Sequence, residues 1–160
     1  MGLRISGYDE DGNPQYEWIN LQVDCTLEEE EELSAAGVTT YPGSISSFAD
    51  TAALMMHLDV VITVDTAIAH LAGALGRPTW IGLNWFATDW RWLLDRNDCP
   101  WYPTMRLFRQ KQRDHWQDVF LQMEAELKQE AHEVIVGEIL PRHDGRRTHP
   151  DDGIHGSIHT

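Results

Sequence analysis

The chain has 160 residues, 42% of them apolar and 24% charged, which suits one globular domain able to bury about two thirds of its surface and leaves no room for a second large one. With 26 acidic against 12 basic side chains the formal charge is −14, a balance that opposes phosphate backbones and anionic lipid surfaces and so excludes nucleic acid as a natural partner. Cys25 and Cys99 stand far apart without a CxxC, the N-terminal MGLRISGYDED has no apolar signal core, and no apolar run is long enough for a transmembrane helix; a reducing cytoplasmic location is the expectation.

Residues 1–17 are polar and interrupted by Gly7, Gly12 and Pro14, which reads as an irregular lead-in. The domain proper is expected over 18–133. Ile19–Val23 is the first strand candidate. Thr26 opens a helix with Glu29 at capping-box spacing, and Gly37 ends it. The glutamates Glu28 to Glu32 lie in its first turns, near the positive end of the helix dipole, and read as a solvated face rather than a metal site. Val38–Tyr41 is a second short strand. After Pro42 and Gly43, Ser47 and Asp50 repeat the capping-box spacing, and Phe48, Ala52, Met55 and Met56 mark an apolar face running to about Leu58, with the methionines as core filling.

Val60–Val64 is apolar and β-branched, the pattern of a parallel strand covered on both faces. Asp65 is positioned to cap the helix Thr66–Leu75, Gly76 supplies its permissive C-terminal position, and Pro78 introduces a further strand to Leu83. On this helix Ala67, Leu71, Ala74 and Leu75 form the expected packing stripe, whereas Thr66, His70 and Gly73 share a different face. Two readings fit that second face. In one, Asp65 and Thr66 are an ordinary cap and His70 a half-exposed histidine; in the other, the Thr66 and Ala67 N–H groups receive phosphate oxygens, His70 adds a bond, and Arg77 or Arg91 approaches from the side. The loop before the Ser47 helix falls at the same end of such a sheet, within reach of a ligand's sugar.

From Asn84 to Pro103 an aromatic, proline-bearing stretch follows a strand's carboxyl end. It suits either a pocket rim, with Asn84, Trp85, Trp90 and Arg91 as its members, or a satellite hydrophobic cluster pinning a long loop. Arg91 and Arg96 are expected to pair with nearby aspartates. Met105–Phe108 is the last strand. Asp114 begins the final helix, whose apolar face is Trp116, Val119, Phe120, Met123 and Leu127. Residues 134–160 read as a short extension followed by a mostly disordered tail, its His143, His149, His155 and His159 included.

The segments FADTAALMMHLDVVITVDTAIAHLAGALGRPTWIGL and DWRWLLDRNDCPWYPTMRLFRQ together resemble the C-terminal nucleotide-binding part of heptosyltransferase-like family 9 glycosyltransferases, especially members linked to tetratricopeptide repeats, over about Ile19 to Leu127. The resemblance implies a truncated α/β Rossmann-like parallel sheet, like the C-terminal half of a GT-B enzyme. It assigns donor phosphates to Asp65, Thr66 and Ala67, a supporting role to His70, and places Ser46, Ser47 and Asp50 near the donor pocket. It implies a nucleotide-diphosphate sugar as donor substrate, with no cofactor and no catalytic metal. The acceptor-side domain and its general base are expected in a longer chain or in trans, so catalysis by these residues alone is left open. A non-catalytic nucleotide-binding or interaction domain is the alternative.

Overall fold

The computed structural model describes residues 1–86 and 88–139. Among them are strands β1 (Gly2–Tyr8), β2 (Pro14–Ile19), β3 (Val38–Thr39), β4 (Val60–Val64), β5 (Thr79–Leu83) and β6 (Met105–Arg109), and helices α1 (Leu27–Ala35), α2 (Phe48–Met55), α3 (Ala67–Ala74) and α4 (Trp116–Ile139). The strands make one open mixed sheet in the order β3-β2-β1-β4-β5-β6. Pairings β2–β3, β4–β5 and β5–β6 are parallel, while β1 is antiparallel to both β2 and β4. Every strand but β1 therefore points its carboxyl end to the same edge. The architecture is broadly Rossmann-like, with a reversed strand at its centre.

That reversed strand corrects the expectation of an all-parallel sheet and of an irregular segment 1–17. Leu3 and Ile5 alternate with Arg4 and Ser6, and Tyr16 and Trp18 with Gln15 and Glu17, which is the period-2 pattern of a hairpin. Asp9 closes the turn: its carboxylate accepts from the backbone N–H groups of Asp11 (3.0 Å) and Asn13 (2.7 Å) and from the Asn13 side chain (3.1 Å). Arg4 pairs across the strands with Glu17. The strand expected at Ile19–Val23 instead ends at Ile19.

β4 and β5 occupy the expected residues, and β6 extends to Arg109. Alternation along them divides the core. Val60, Trp80 and Phe108 face α4 through Val119, Met123 and Leu127; Val61, Ile81, Leu83 and Leu107 belong to the clusters formed with α2, α3 and the β5–β6 connection. Each large side chain so buried contributes about 1.5–3 kcal/mol. Gly82 lets α4 sit close, since a Cβ there would lie 3.2 Å from the Trp116 ring.

The helix ends follow the sequence signals in two cases. Thr26 and Glu29 form a reciprocal capping box on α1, and Ser47 accepts from the Asp50 N–H on α2. Several expected faces differ. On α2, Met55 is buried but Phe48 and Met56 are exposed; on α3 the buried residues are Ala69 and Ala72, with Ala67 and Ala74 outside; on α4, Phe120 is exposed. α2 and α3 have only eight residues each, and α4 meets the sheet through Val119, Met123 and Leu127, so only a narrow stripe of each helix is covered. Asp114 has φ 60° and lies outside α4, which starts at Trp116 rather than being opened by Asp114. α4 continues beyond residue 133 to Ile139; the rest of the tail, with its four histidines, is outside the described residues.

Candidate functional site at the carboxyl edge

At the end of β4 the chain turns through Asp65 and Thr66 into α3. Asp65 is not the cap. Thr66 holds that position with φ −141° and ψ 173°, and among the described residues no side chain bonds the first-turn N–H groups. The Thr66 hydroxyl is instead 3.2 Å from that of Thr63. The Asp65 carboxylate turns outward to accept the Asp89 N–H at 3.2 Å. Asp65, Thr66 and Ala67 are exposed, so the positive end of α3 opens to solvent at the sheet edge. An aspartate cap would have competed with any anion for those donors, and this arrangement removes that competition.

His70, one turn further on, is held by the connection between β5 and β6. Its ring stacks on Trp92 (centroids 5.1 Å, 19° between planes), and its Nδ1 is 3.2 Å from the Tyr102 hydroxyl. Nε2 has no protein partner among the described residues. Gly73 makes this packing possible: a Cβ there would stand 2.6 Å and 2.7 Å from atoms of the Tyr102 ring and 2.5 Å from the Met105 methyl. The face formed by Thr66, His70 and Gly73 thus meets an aromatic wall rather than the sheet. Sequence reasoning misses Trp92 and Tyr102 as members of this site; the signal for them is a glycine three residues after the histidine, on the face that Thr66 and His70 share.

Ser46, Ser47 and Asp50 come together as the cap of α2. Asp50 accepts from the Ser46 N–H and hydroxyl, both at 3.1 Å, and from the Ser47 hydroxyl at 2.8 Å. The Ser47 hydroxyl bond and then the Ser46 N–H hold its carboxyl below the ordinary value of 3.8. Their loop follows β3, at the same sheet edge as Asp65, although β2 and β1 intervene in the sheet.

The aromatic stretch divides. Trp92, Cys99 and Tyr102 fold back into the core with Ile81 and Met105. Trp85, Phe86, Trp90 and Trp101 stay more than half exposed, with Trp90 edge-on to Trp101 at 6.0 Å. Arg91 lies 4.9 Å over the Trp90 ring and pairs with Asp89 at 2.7 Å, and Arg96 binds Asp98 through two bonds of 2.6 and 2.5 Å. Asn84 and Trp85 line a cleft with Arg109 and Gln110 at the ends of β5 and β6. Arg77 cannot serve the α3 N-terminus: it follows the other end of the helix, where its guanidinium donates to the Leu58 carbonyl.

The structure is an open α/β sheet, broadly Rossmann-like, with an uncapped helix N-terminus at the carboxyl end of a parallel strand, the place where open α/β sheets generally take ligands. The sequence profile of glycosyltransferase family 9 (heptosyltransferase) matches residues 43–88, which include α2, β4, the Asp65–Ala67 turn, α3 and β5. The association with that glycosyltransferase family rests on this segment. No curated protein and no solved structure matches the chain. No helix among the described residues is long and apolar enough to cross a membrane.

Proposed function

We propose that the chain is the donor-side module of a family 9-like glycosyltransferase of GT-B organisation, holding the diphosphate of a nucleotide-activated sugar at the N-terminus of α3. The observation that carries this reading is the uncapped first turn beneath Thr66, with Asp65 drawn away to the Asp89 N–H, inside the segment matched by the family. Ala67 N–H and its neighbour supply donors to phosphate oxygens. His70, aligned by Trp92 and Tyr102, supplies a further bond through Nε2.

Glycosyl transfer also needs an acceptor hydroxyl and a base. The carboxylates beside the cradle are engaged: Asp65 accepts the Asp89 N–H, and Asp89 is held below the ordinary carboxylate value chiefly by the Arg91 N–H and also by the Arg91 side chain. Asp89 is therefore a poor candidate for proton abstraction, and in this reading the acceptor and base come from a second domain, in the same polypeptide or in trans. The exposed Trp85, Phe86, Trp90 and Trp101 favour one competing reading, an interaction domain without catalysis.

Calorimetric titration with nucleoside diphosphates and their sugar conjugates separates the two. Saturable binding weakened by His70→Ala and by loss of the Ala67 N–H is the expected result. Folded protein that binds none of them refutes the donor reading.

A further inference from the structure

A neutral imidazole carries one proton on either of two nitrogens, and which of them holds it decides whether His70 donates or accepts at the cradle. α3 has no other titratable side chain, so the choice falls to what packs against the ring. Those groups all come from the connection between β5 and β6: Trp92, Tyr102, Asp89 with its partner Arg91, and Cys99 in the cluster behind them.

Trp92, fully buried, stacks on the imidazole and fixes the plane of the ring. The Tyr102 hydroxyl then stands 3.2 Å from Nδ1. Tyr102 is itself held in place. Its carbonyl accepts the Met105 N–H at 3.0 Å where β6 begins, and its ring occupies the space that a side chain at Gly73 would fill. Asp89 is near enough for its charge to act on His70, but its oxygens accept the Arg91 N–H at 2.9 Å and the Arg91 guanidinium at 2.7 Å. Among the described residues no carboxylate bonds the imidazole. A carboxylate on Nδ1 would favour the imidazolium, whereas a hydroxyl adds no charge.

The Tyr102–His70 bond can be made in two directions, and they are not equivalent. The lone pair of a phenol oxygen is drawn into its ring, which makes the O–H a good donor and the oxygen a modest acceptor; the bare imidazole nitrogen keeps its lone pair in the ring plane and accepts well. Among the described residues the Tyr102 hydroxyl has no other acceptor. We infer that Tyr102 is a positioning residue: its hydroxyl donates to Nδ1 of His70, which places the imidazole proton on Nε2 and holds the ring as a neutral N–H donor. Only the use of that donor rests on the proposed function, in which Nε2–H reaches a diphosphate oxygen without bringing a charge to it.

Nitrogen-15 spectra of the imidazole in ligand-free protein read the proton directly, at about pH 8.5, where histidine is ordinarily neutral. His70 should show a protonated Nε2 and an unprotonated, hydrogen-bonded Nδ1. Tyr102→Phe keeps the aromatic ring against Gly73 and should move the Nδ1 resonance to that of a free acceptor nitrogen, with the circular dichroism unchanged. Titration with a nucleoside diphosphate then shows whether Tyr102 acts through His70. Loss of the hydroxyl should weaken binding about two- to tenfold, the range of one neutral hydrogen bond, and in a His70→Ala background the same substitution should change nothing. Equal losses in both backgrounds, or no loss in either, would overturn the inference. So would an Nδ1-protonated His70 in the wild type, or an Nδ1 resonance indifferent to Tyr102→Phe. A chain that gives the expected spectra but binds no diphosphate would refute the proposed function and uphold the assignment of the proton, so the two failures are distinguishable.

Discussion

Ala67→Pro isolates the backbone donor on which the proposed donor site depends. Ala67 is the first residue of α3, where the N–H has no intrahelical partner and no side chain caps it. Proline is well accepted at that position, and Thr66, at φ −141° and ψ 173°, already has the extended conformation required before proline. The substitution therefore deletes one donor and leaves the helix in place. A hydrogen bond to a charged group contributes about 1.5–3 kcal/mol, so nucleoside diphosphate affinity should fall by about 10- to 150-fold. Stability should be unchanged or rise by about 0.4–1 kcal/mol through the stiffened unfolded chain. Isothermal titration gives the first quantity and urea denaturation the second. Unaltered diphosphate affinity in a variant of undiminished stability would refute the cradle, because no side-chain rearrangement restores the missing N–H.

Other substitutions probe the packing behind the cradle. Gly73→Ala drives a methyl into Tyr102 and Met105 and should cost about 1–3 kcal/mol in denaturant titration, with a change in the His70 ring resonances; native stability and unshifted resonances would contradict the close contact. Trp80→Ala, which empties the space between β5, Phe108 and α4, should lose about 3–5 kcal/mol, and a loss below about 1 kcal/mol would mean that the α4 layer is not seated on the sheet. Asp50 titrates below its ordinary value of 3.8, so the stability it confers is complete above that pH and is lost as pH falls through the depressed folded value. NMR titration should show this depression in wild type and its reduction in Ser47→Ala; an Asp50 that titrates normally in wild type would remove the cap.

The extent to which the sequence is legible follows the locality of each signal. β4, α3 and β5 are bounded by short-range chemistry, with β-branched runs, Gly76 at φ 66° and Pro78 as punctuation, so the strands fall where expected and α3 runs one residue short at each end, capped by Thr66 rather than Asp65. The caps at Thr26 and Ser47 are equally local. The β1–β2 hairpin has its own local signal, alternation flanking an Asp9–Asn13 turn, but Gly7 and Pro14 point to broken structure. In the fold, strand pairing resumes across an irregularity between Ile5 and Gly7, and Pro14 opens β2 at its first residue, a place where its missing N–H is tolerated. Which face of each helix is covered depends on the neighbours that the topology supplies, and periodicity does not give that. The same holds for the site. Thr66 and His70 are recognisable by spacing, but the turning of Asp65 to Asp89 and the clasp of His70 by Trp92 and Tyr102 join residues as much as 24 and 32 positions apart.

The divided aromatic segment bears on what approaches this edge. Had all its rings been spent on folding, it would be only a plug for the α3 face. Trp92 and Tyr102 fill that role, and they account for Gly73 and the fixed ring of His70. Trp85, Phe86, Trp90 and Trp101 contribute little to the core, yet they lie in the part of the chain where residues 84–113 concentrate five arginines and one lysine against three aspartates. The rest of the chain is strongly acidic. Exposed rings beside locally positive charge, at the sheet edge where α3 begins, lower the cost of bringing a polar, ring-bearing ligand or a second domain to the cradle, whereas the acidic remainder repels anions elsewhere. Hydrogen exchange gives the expected outcome: strong protection at the buried Trp92, whose N–H donates to the Asp89 carbonyl, weak protection at Phe86 and Trp90, and protection gained there when an acceptor-side domain is added. Uniformly strong protection across Trp85–Tyr102 in the isolated chain would show instead that the segment is closed on itself and that its surface rings await nothing.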